Sequence, residues 1–97
     1  MAGNKRQIQR LAQLFHMLAD PTRLRIVSAL DQGELNVKQL CRKLRASQPV
    51  VSRHLGLLRL ASIVVSRREG REMFYSMSAP RRRCVRDILK LAAGQSK

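Results

Sequence analysis

Residues 36–61 carry two apolar stripes at helical spacing with only Arg45-Ala46-Ser47 between them, and few architectures accept that arrangement. In the first stretch Val37, Leu40, Cys41 and Leu44 fall at i, i+3, i+4 and i+7, one face of a short helix. Asn36 is placed to cap it, Gln39 follows as the reciprocal partner, and Leu35 and Leu40 stand where a hydrophobic staple forms. Ser47 caps a second helix whose first turn holds Pro49, where a missing N–H costs little. There Val51, Leu55 and Leu58 turn inward, leaving Gln48, Ser52, Arg53 and Arg59 toward solvent. Two amphipathic helices joined by a tight turn make a helix-turn-helix. Gln, Ser and Arg at a helix N-terminus hydrogen-bond base edges in a major groove. An ordinary polar surface helix would look the same in isolation, so the rest of the chain has to decide.

Charge decides much of it. The 97 residues suit one domain, 1–97, with a modest core. Twenty Lys and Arg stand against six Asp and Glu, a net charge of +14, and with Lys at only five positions the other fifteen cations are Arg. Surfaces kept charged for solubility mix their signs, so this imbalance points to a polyanionic partner. A membrane surface is the other polyanion, but the sequence has no 18-residue apolar run, no signal-peptide core and no lipidation motif. Cys41 and Cys84, 43 positions apart, are not a disulfide framework. A cytoplasmic protein is expected.

The flanks complete the architecture. Met1–Lys5 reads as a frayed end, followed by a helix over 6–19 with Ile8, Leu11, Phe15 and Leu18 in its stripe and Ala12 and Leu14 widening it. His16 lies beside that stripe with no second ligand near it in sequence, and reads as a packing residue. Asp20-Pro21 opens the next helix, which buries Leu24, Val27 and Leu30, leaves Arg23 and Arg25 outside, and ends at Gln32-Gly33. Beyond Ala61 the period shortens to two: Ile63, Val65 and Arg67 alternate with Val64, Ser66 and Arg68, and a second run follows the Glu69-Gly70 turn. That is a β-hairpin over 62–78 with Arg67, Arg68 and Arg71 at its tip, a wing able to reach phosphates or a minor groove. The same charges would also keep an exposed edge from pairing with another sheet. Pro80 ends the hairpin and a last helix over 80–93 carries Val85, Ile88, Leu89 and Ala92 as its stripe. The expected fold is mainly α with a β-hairpin wing, in the order helix, helix, helix, recognition helix, hairpin, helix. So short a chain leaves too little core to hide both terminal stripes, which fits a self-paired interface.

Three stretches in order, Leu18-Ala19-Asp20-Pro21-Thr22-Arg23-Leu24-Arg25-Ile26, Ser47-Gln48-Pro49-Val50-Val51-Ser52-Arg53-His54-Leu55 and Gly70-Arg71-Glu72-Met73-Phe74-Tyr75, resemble the arsenical-repressor (ArsR/SmtB) family of bacterial winged-helix regulators. The resemblance covers roughly residues 8–92. It implies a homodimer joined through the first and last helices (Ile8, Leu11, Phe15, Val85, Ile88, Leu89 and Ala92), with each recognition helix in a major groove of an inverted-repeat operator on double-stranded DNA. It also implies repression by promoter blocking. Ser47, Gln48, Ser52, Arg53 and His54 carry over as the DNA-facing set, with Gln48 the first choice for a base edge, Ser52 and Arg53 next, and His54 and Ser47 placed to reach phosphate; His54 also reads as a packed or solvated helix residue. Lys38, Arg42 and Arg45 are candidates for phosphate, and equally for plain solvated charge.

The signal is where the chain departs from the family. Metal-sensing relatives carry Cys-Val-Cys-Asp in the third helix; here the corresponding residues are Asn36-Val37-Lys38-Gln39. Residues 80–93, where other relatives place His and acidic ligands, hold no His and only one acid, Asp87. A divalent ion needs three or four suitable donors, so neither a metal nor any other cofactor is expected. Leu40-Cys41-Arg42-Lys43-Leu44 resembles the setting of the cysteine in thiol- or sulfur-responsive relatives, whose second cysteine lies near the end of the last helix rather than, like Cys84, near its start. Both cysteines also suit core packing as small hydrophobes. Two smaller departures are Gly56 in mid-helix and Ser62 where relatives have a helix-ending Gly. Arg81-Arg82-Arg83 at a helix start opposes the helix dipole.

Other classes fit less well. A basic RNA-binding domain would need stacking platforms, and only three aromatic residues are present (one Tyr and two Phe). A winged-helix interaction module would not need a basic recognition helix. His16 and His54 have no neighbouring nucleophile or metal set, so an enzyme is not expected.

Overall fold

The computed structural model describes residues 3–94. Five helices and three short strands follow in the order α1 (Lys5–Leu18), α2 (Pro21–Asp31), β1 (Leu35–Asn36), α3 (Val37–Leu44), α4 (Gln48–Leu60), β2 (Val64–Glu69), β3 (Glu72–Met77) and α5 (Ala79–Gly94). The frayed start expected over Met1–Lys5 is revised. Met1 and Ala2 lie outside the described residues, while Asn4 and Gln7 form a capping box that starts α1, each side chain bonded to the other's backbone N–H at 2.8–2.9 Å.

Helix α2 is the hub. It packs on α1, α3, α4, α5 and β3, so more than one stripe of it is covered. Ile26 and Val27 are fully buried and Leu30 nearly so, whereas Leu24 is only half-buried. Leu40, Val51, Leu55, Leu58, Ile63 and Val64 join them in the interior, each worth roughly 1.5–3 kcal/mol of transfer free energy. The arginines of α2 are not free solvent charges. Arg25 donates from Nη2 to the Leu44 carbonyl at 2.8 Å, satisfying an orphan acceptor at the C-terminus of α3, and Arg23 does the same for α1.

The wing is a three-stranded antiparallel sheet in the order β1-β3-β2 rather than a bare hairpin. Leu35 pairs with Tyr75 and Asn36 with Phe74, so the two residues before α3 hold the wing's inner edge. Glu69 pairs with Glu72 across a two-residue turn, Gly70-Arg71, in which Gly70 takes φ +65°. At the base, Ser62 takes a left-handed φ of 61° in place of glycine. Ser78 secures it, its Oγ donating to the Ser62 carbonyl and its N–H to that of Ile63, both at 2.9 Å. Pro80, read as the strand breaker, sits in the first turn of α5.

Candidate nucleic-acid interface

Helix α4 presents two faces. Val51, Leu55 and Leu58 are buried, while Gln48, Ser52, Arg53 and Arg59 are exposed. Ser47 is the N-cap by backbone geometry, yet its hydroxyl makes no capping bond and stays exposed for an outside partner. The neighbouring elements bring charge to this end of the helix. Gln48 lines one groove with Asn36, Val37, Lys38, Arg71, Glu72 and Met73, and a second with Lys38, Cys41 and Arg42. The N-termini of α3 and α4 and the turn of the wing therefore meet around one glutamine. Among the described residues, Lys38, Arg42, Arg45, Arg53, Arg68 and Arg71 are all exposed and none is held in an ion pair.

Two members of the expected contact set are placed differently. His54 is buried, 7% exposed, with Nδ1 3.3 Å from Nη1 of Arg23; it lies on the core side of α4 and not on the face of Gln48 and Ser52. The physical reason is spacing, because 54 continues the inward set of 51, 55 and 58 around the helix. Arg67 is spent as a brace. Its Nε and Nη2 bond the Glu34 carboxylate at 2.7 and 2.8 Å, Nη1 reaches Glu69 at 3.0 Å, and the guanidinium lies 4.9 Å from the centre of the Phe74 ring. That pairing holds the Glu34 carboxyl below its ordinary range and raises Arg67 further. Arg68 and Arg71 are left as the exposed cations of the wing tip that no carboxylate pairs with among the described residues.

A separate apolar face runs over α1 and α5. Ile8, Leu11 and Phe15 are 52, 43 and 47% exposed, large fractions for side chains of that size. Phe15 shares a cleft with Pro80, Arg83, Cys84, Asp87, Ile88 and Leu91. Ala92 is exposed, and Ile88 and Leu89 are half-buried against the core. Val85, expected on this face, is fully buried in the protomer because α5 packs on α2 there. Leu91, 67% exposed, belongs to the face and was legible three residues beyond Ile88. The thiols of Cys41 and Cys84 are free, half-buried and in different clefts.

Residues 20–66 match the family model described as bacterial regulatory protein, arsR family. The chain is 49% identical over 67 residues to the arsenical resistance operon repressor of Escherichia coli, covering 68% of this chain and 57% of that one. It is 37% identical over 84 residues to an HTH-type transcriptional regulator of Methanocaldococcus jannaschii, covering 86% of this chain and 91% of that one. The chain belongs to the ArsR family. Among solved structures, HlyU from Vibrio cholerae superposes with a TM-score of 0.85 at 28% identity, covering 91% of this chain and 97% of that one. A homodimeric winged helix-turn-helix DNA-binding domain from Mycobacterium bovis superposes with a TM-score of 0.81 at 26% identity, covering 96% and 91%. The fold is thus a winged helix-turn-helix, and the family is one of transcriptional regulators rather than enzymes. Matches to the Escherichia coli repressor and three other curated family members span only 54–58% of those proteins.

Within this family the start of α3 is built here for capping. Asn36 Oδ1 accepts from the Gln39 N–H and Gln39 Oε1 from the Asn36 N–H, both at 2.8 Å, while Asn36 Nδ2 donates to Glu72 at 2.7 Å. Among the described residues no group of three or more His, Cys, Asp or Glu side chains is placed to hold a metal ion. No helix among them is long and apolar enough to cross a membrane.

Proposed function

We propose that this chain is a homodimeric, sequence-specific DNA-binding repressor of the bacterial cytosol or nucleoid, and that it acts on an inverted-repeat operator without a metal cofactor. The observation that carries the reading is the junction at Gln48, where an exposed carboxamide with the chemistry to read a base edge shares its grooves with Lys38, Arg42 and Arg71. Ser52 and Arg53 extend the exposed edge of α4 along the groove, Ser47, Lys38, Arg42 and Arg45 meet phosphates, and Arg68 and Arg71 carry the contact along the backbone. The uncovered α1–α5 face supplies the pairing surface, and the Mycobacterium bovis neighbour is described as homodimeric. A repressor's role is supported by the Escherichia coli relative's name.

Absence of metal response is supported by the donor chemistry at α3, where two carboxamides and a lysine stand in place of thiolates and a carboxylate. A Cys41–Cys84 link finds no support in the placement of the two thiols in separate clefts. Selection of bound fragments from genomic DNA supplies the operator. On that duplex Gln48→Ala loses discrimination at one base pair of each half-site, by roughly 1–3 kcal/mol. Equal weakening on every sequence would contradict the assignment.

A further inference from the structure

Arg23 joins three elements. Its backbone N–H donates to the capping carboxylate of Asp20 at 2.9 Å, its Nε to the Met17 carbonyl in the last turn of α1 at 2.6 Å, and its Nη1 lies 3.3 Å from His54 Nδ1 on α4. A guanidinium can only donate, so a hydrogen bond at this contact has His54 Nδ1 as its acceptor. His54 is 7% exposed and follows Arg53 directly, so any rotation of α4 that moves the imidazole also re-aims Ser52 and Arg53. Helix α1 leans mainly on α2 within the protomer, while its Ile8, Leu11 and Phe15 face outward.

Resting on the DNA-binding reading, we infer that Arg23 is a positioning residue that transmits the pose of α1, set by the apolar face it shares with α5, to the recognition helix through His54. The Met17 carbonyl is one of the unpaired acceptors at the negative end of α1, so the cation follows that helix end wherever pairing holds it. The other end of the same rigid fork fixes the rotation of α4. Arg23 is half-buried behind α4 and takes no part in the exposed cation set, so its contribution is to aim rather than to neutralise phosphate.

The test uses the full chain with the selected operator, a scrambled duplex of equal length, and the variants Arg23→Met, His54→Leu, His54→Asn and Arg23→Met/His54→Leu. Anisotropy gives affinity and its salt slope, and sedimentation gives the dimer constant. His54→Leu and Arg23→Met each lower operator affinity at least tenfold, leave scrambled-duplex affinity and salt slope unchanged, and keep the dimer constant within about twofold of wild type. The double variant loses no more than either single one, and His54→Asn, which restores an acceptor, recovers most of the loss. Additive losses, a salt slope reduced by about one in Arg23→Met, or operator affinity unmoved in His54→Leu would each overturn the inference. Failure of the wild-type chain to prefer operator over scrambled duplex would instead overturn the DNA-binding reading.

Discussion

Ser62 sits at φ 61°, a conformation costing an L-residue roughly 1–2 kcal/mol that glycine avoids. Ser62→Gly therefore stabilises by roughly 0.5–1 kcal/mol, read as a rise of a few degrees in melting temperature; a lower melting temperature would mean the Ser62 side chain holds the turn in a way its exposure does not suggest. Gly56 is the converse case: mid-helix, exposed, with nothing within 4 Å of an added Cβ. Gly56→Ala gains about 1 kcal/mol in the same assay from helix propensity alone. Two carboxylates lead to a prediction for acid behaviour. Asp20 is held below its ordinary value chiefly by the Arg23 backbone N–H, and Glu34 by the Arg67 side chain. Both folded values lie beneath the unfolded ones, so their stabilisation is complete above the unfolded pKa and is lost as pH falls through the folded pKa. Urea midpoints followed downward from neutral pH should drop less steeply for Asp20→Asn, which keeps a capping oxygen, and for Glu34→Gln than for wild type. An unchanged acid limb in both would show that these pairs do not govern it.

At the scale of elements, the wing is held from below by Ser78 on Ser62 and from the side by Arg67 on Glu34, with β1 covering its inner edge. The hairpin itself was legible because alternation over residues 63–77 with Gly70 at the turn is a strong period-two signal. Strand β1 was not, since two residues cannot display a period and Leu35-Asn36 already made sense as staple and cap. The helix-turn-helix was legible because its apolar residues recur at helical spacing on either side of a three-residue break, and its capping box stands where Asn36 and Gln39 placed it. What spacing could not supply was the destination of long cations. Arg23, Arg25 and Arg67 look in sequence like any other surface arginine, and only the folding back of α1 beside Arg23, and the approach of α3 and Glu34 from further along the chain, turn them into structural donors. His54 had two readings in the sequence: the family motif groups it with exposed neighbours, while its angular position on α4 belongs with the buried Val51, Leu55 and Leu58. Leu55, fully buried between α4 and the hub, gives the element-scale test: Leu55→Ala costs roughly 2–5 kcal/mol by urea unfolding, and a loss under about 1 kcal/mol would show that α4 is not seated on the core as described.

For the whole molecule, the distribution of surface matters more than its amount. Ile8, Leu11, Phe15 and Leu91 expose apolar surface on α1 and α5, Val50, Leu57, Leu60 and Val65 expose more on α4 and β2, and unpaired cations surround the Gln48 end of α4 and the wing turn; on the proposed reading, pairing uses the α1–α5 face and anion binding the cationic one. Phe15→Glu should therefore yield a folded monomer by sedimentation, with an unchanged helical signal and operator affinity reduced by at least tenfold; a dimer surviving that change would place the pairing surface elsewhere. The central claim is that the Gln48 end of α4, with its ring of cations, addresses duplex DNA by sequence. Its most direct measurement is competition at about 0.15 M salt among the selected operator, a scrambled duplex and a double-stranded RNA of equal length. Preference for the operator by roughly 10³-fold or more, with affinity falling by about 0.9 log units per log unit of salt for each phosphate contacted, is the predicted result. Equal binding to all three, or none to any, would contradict it.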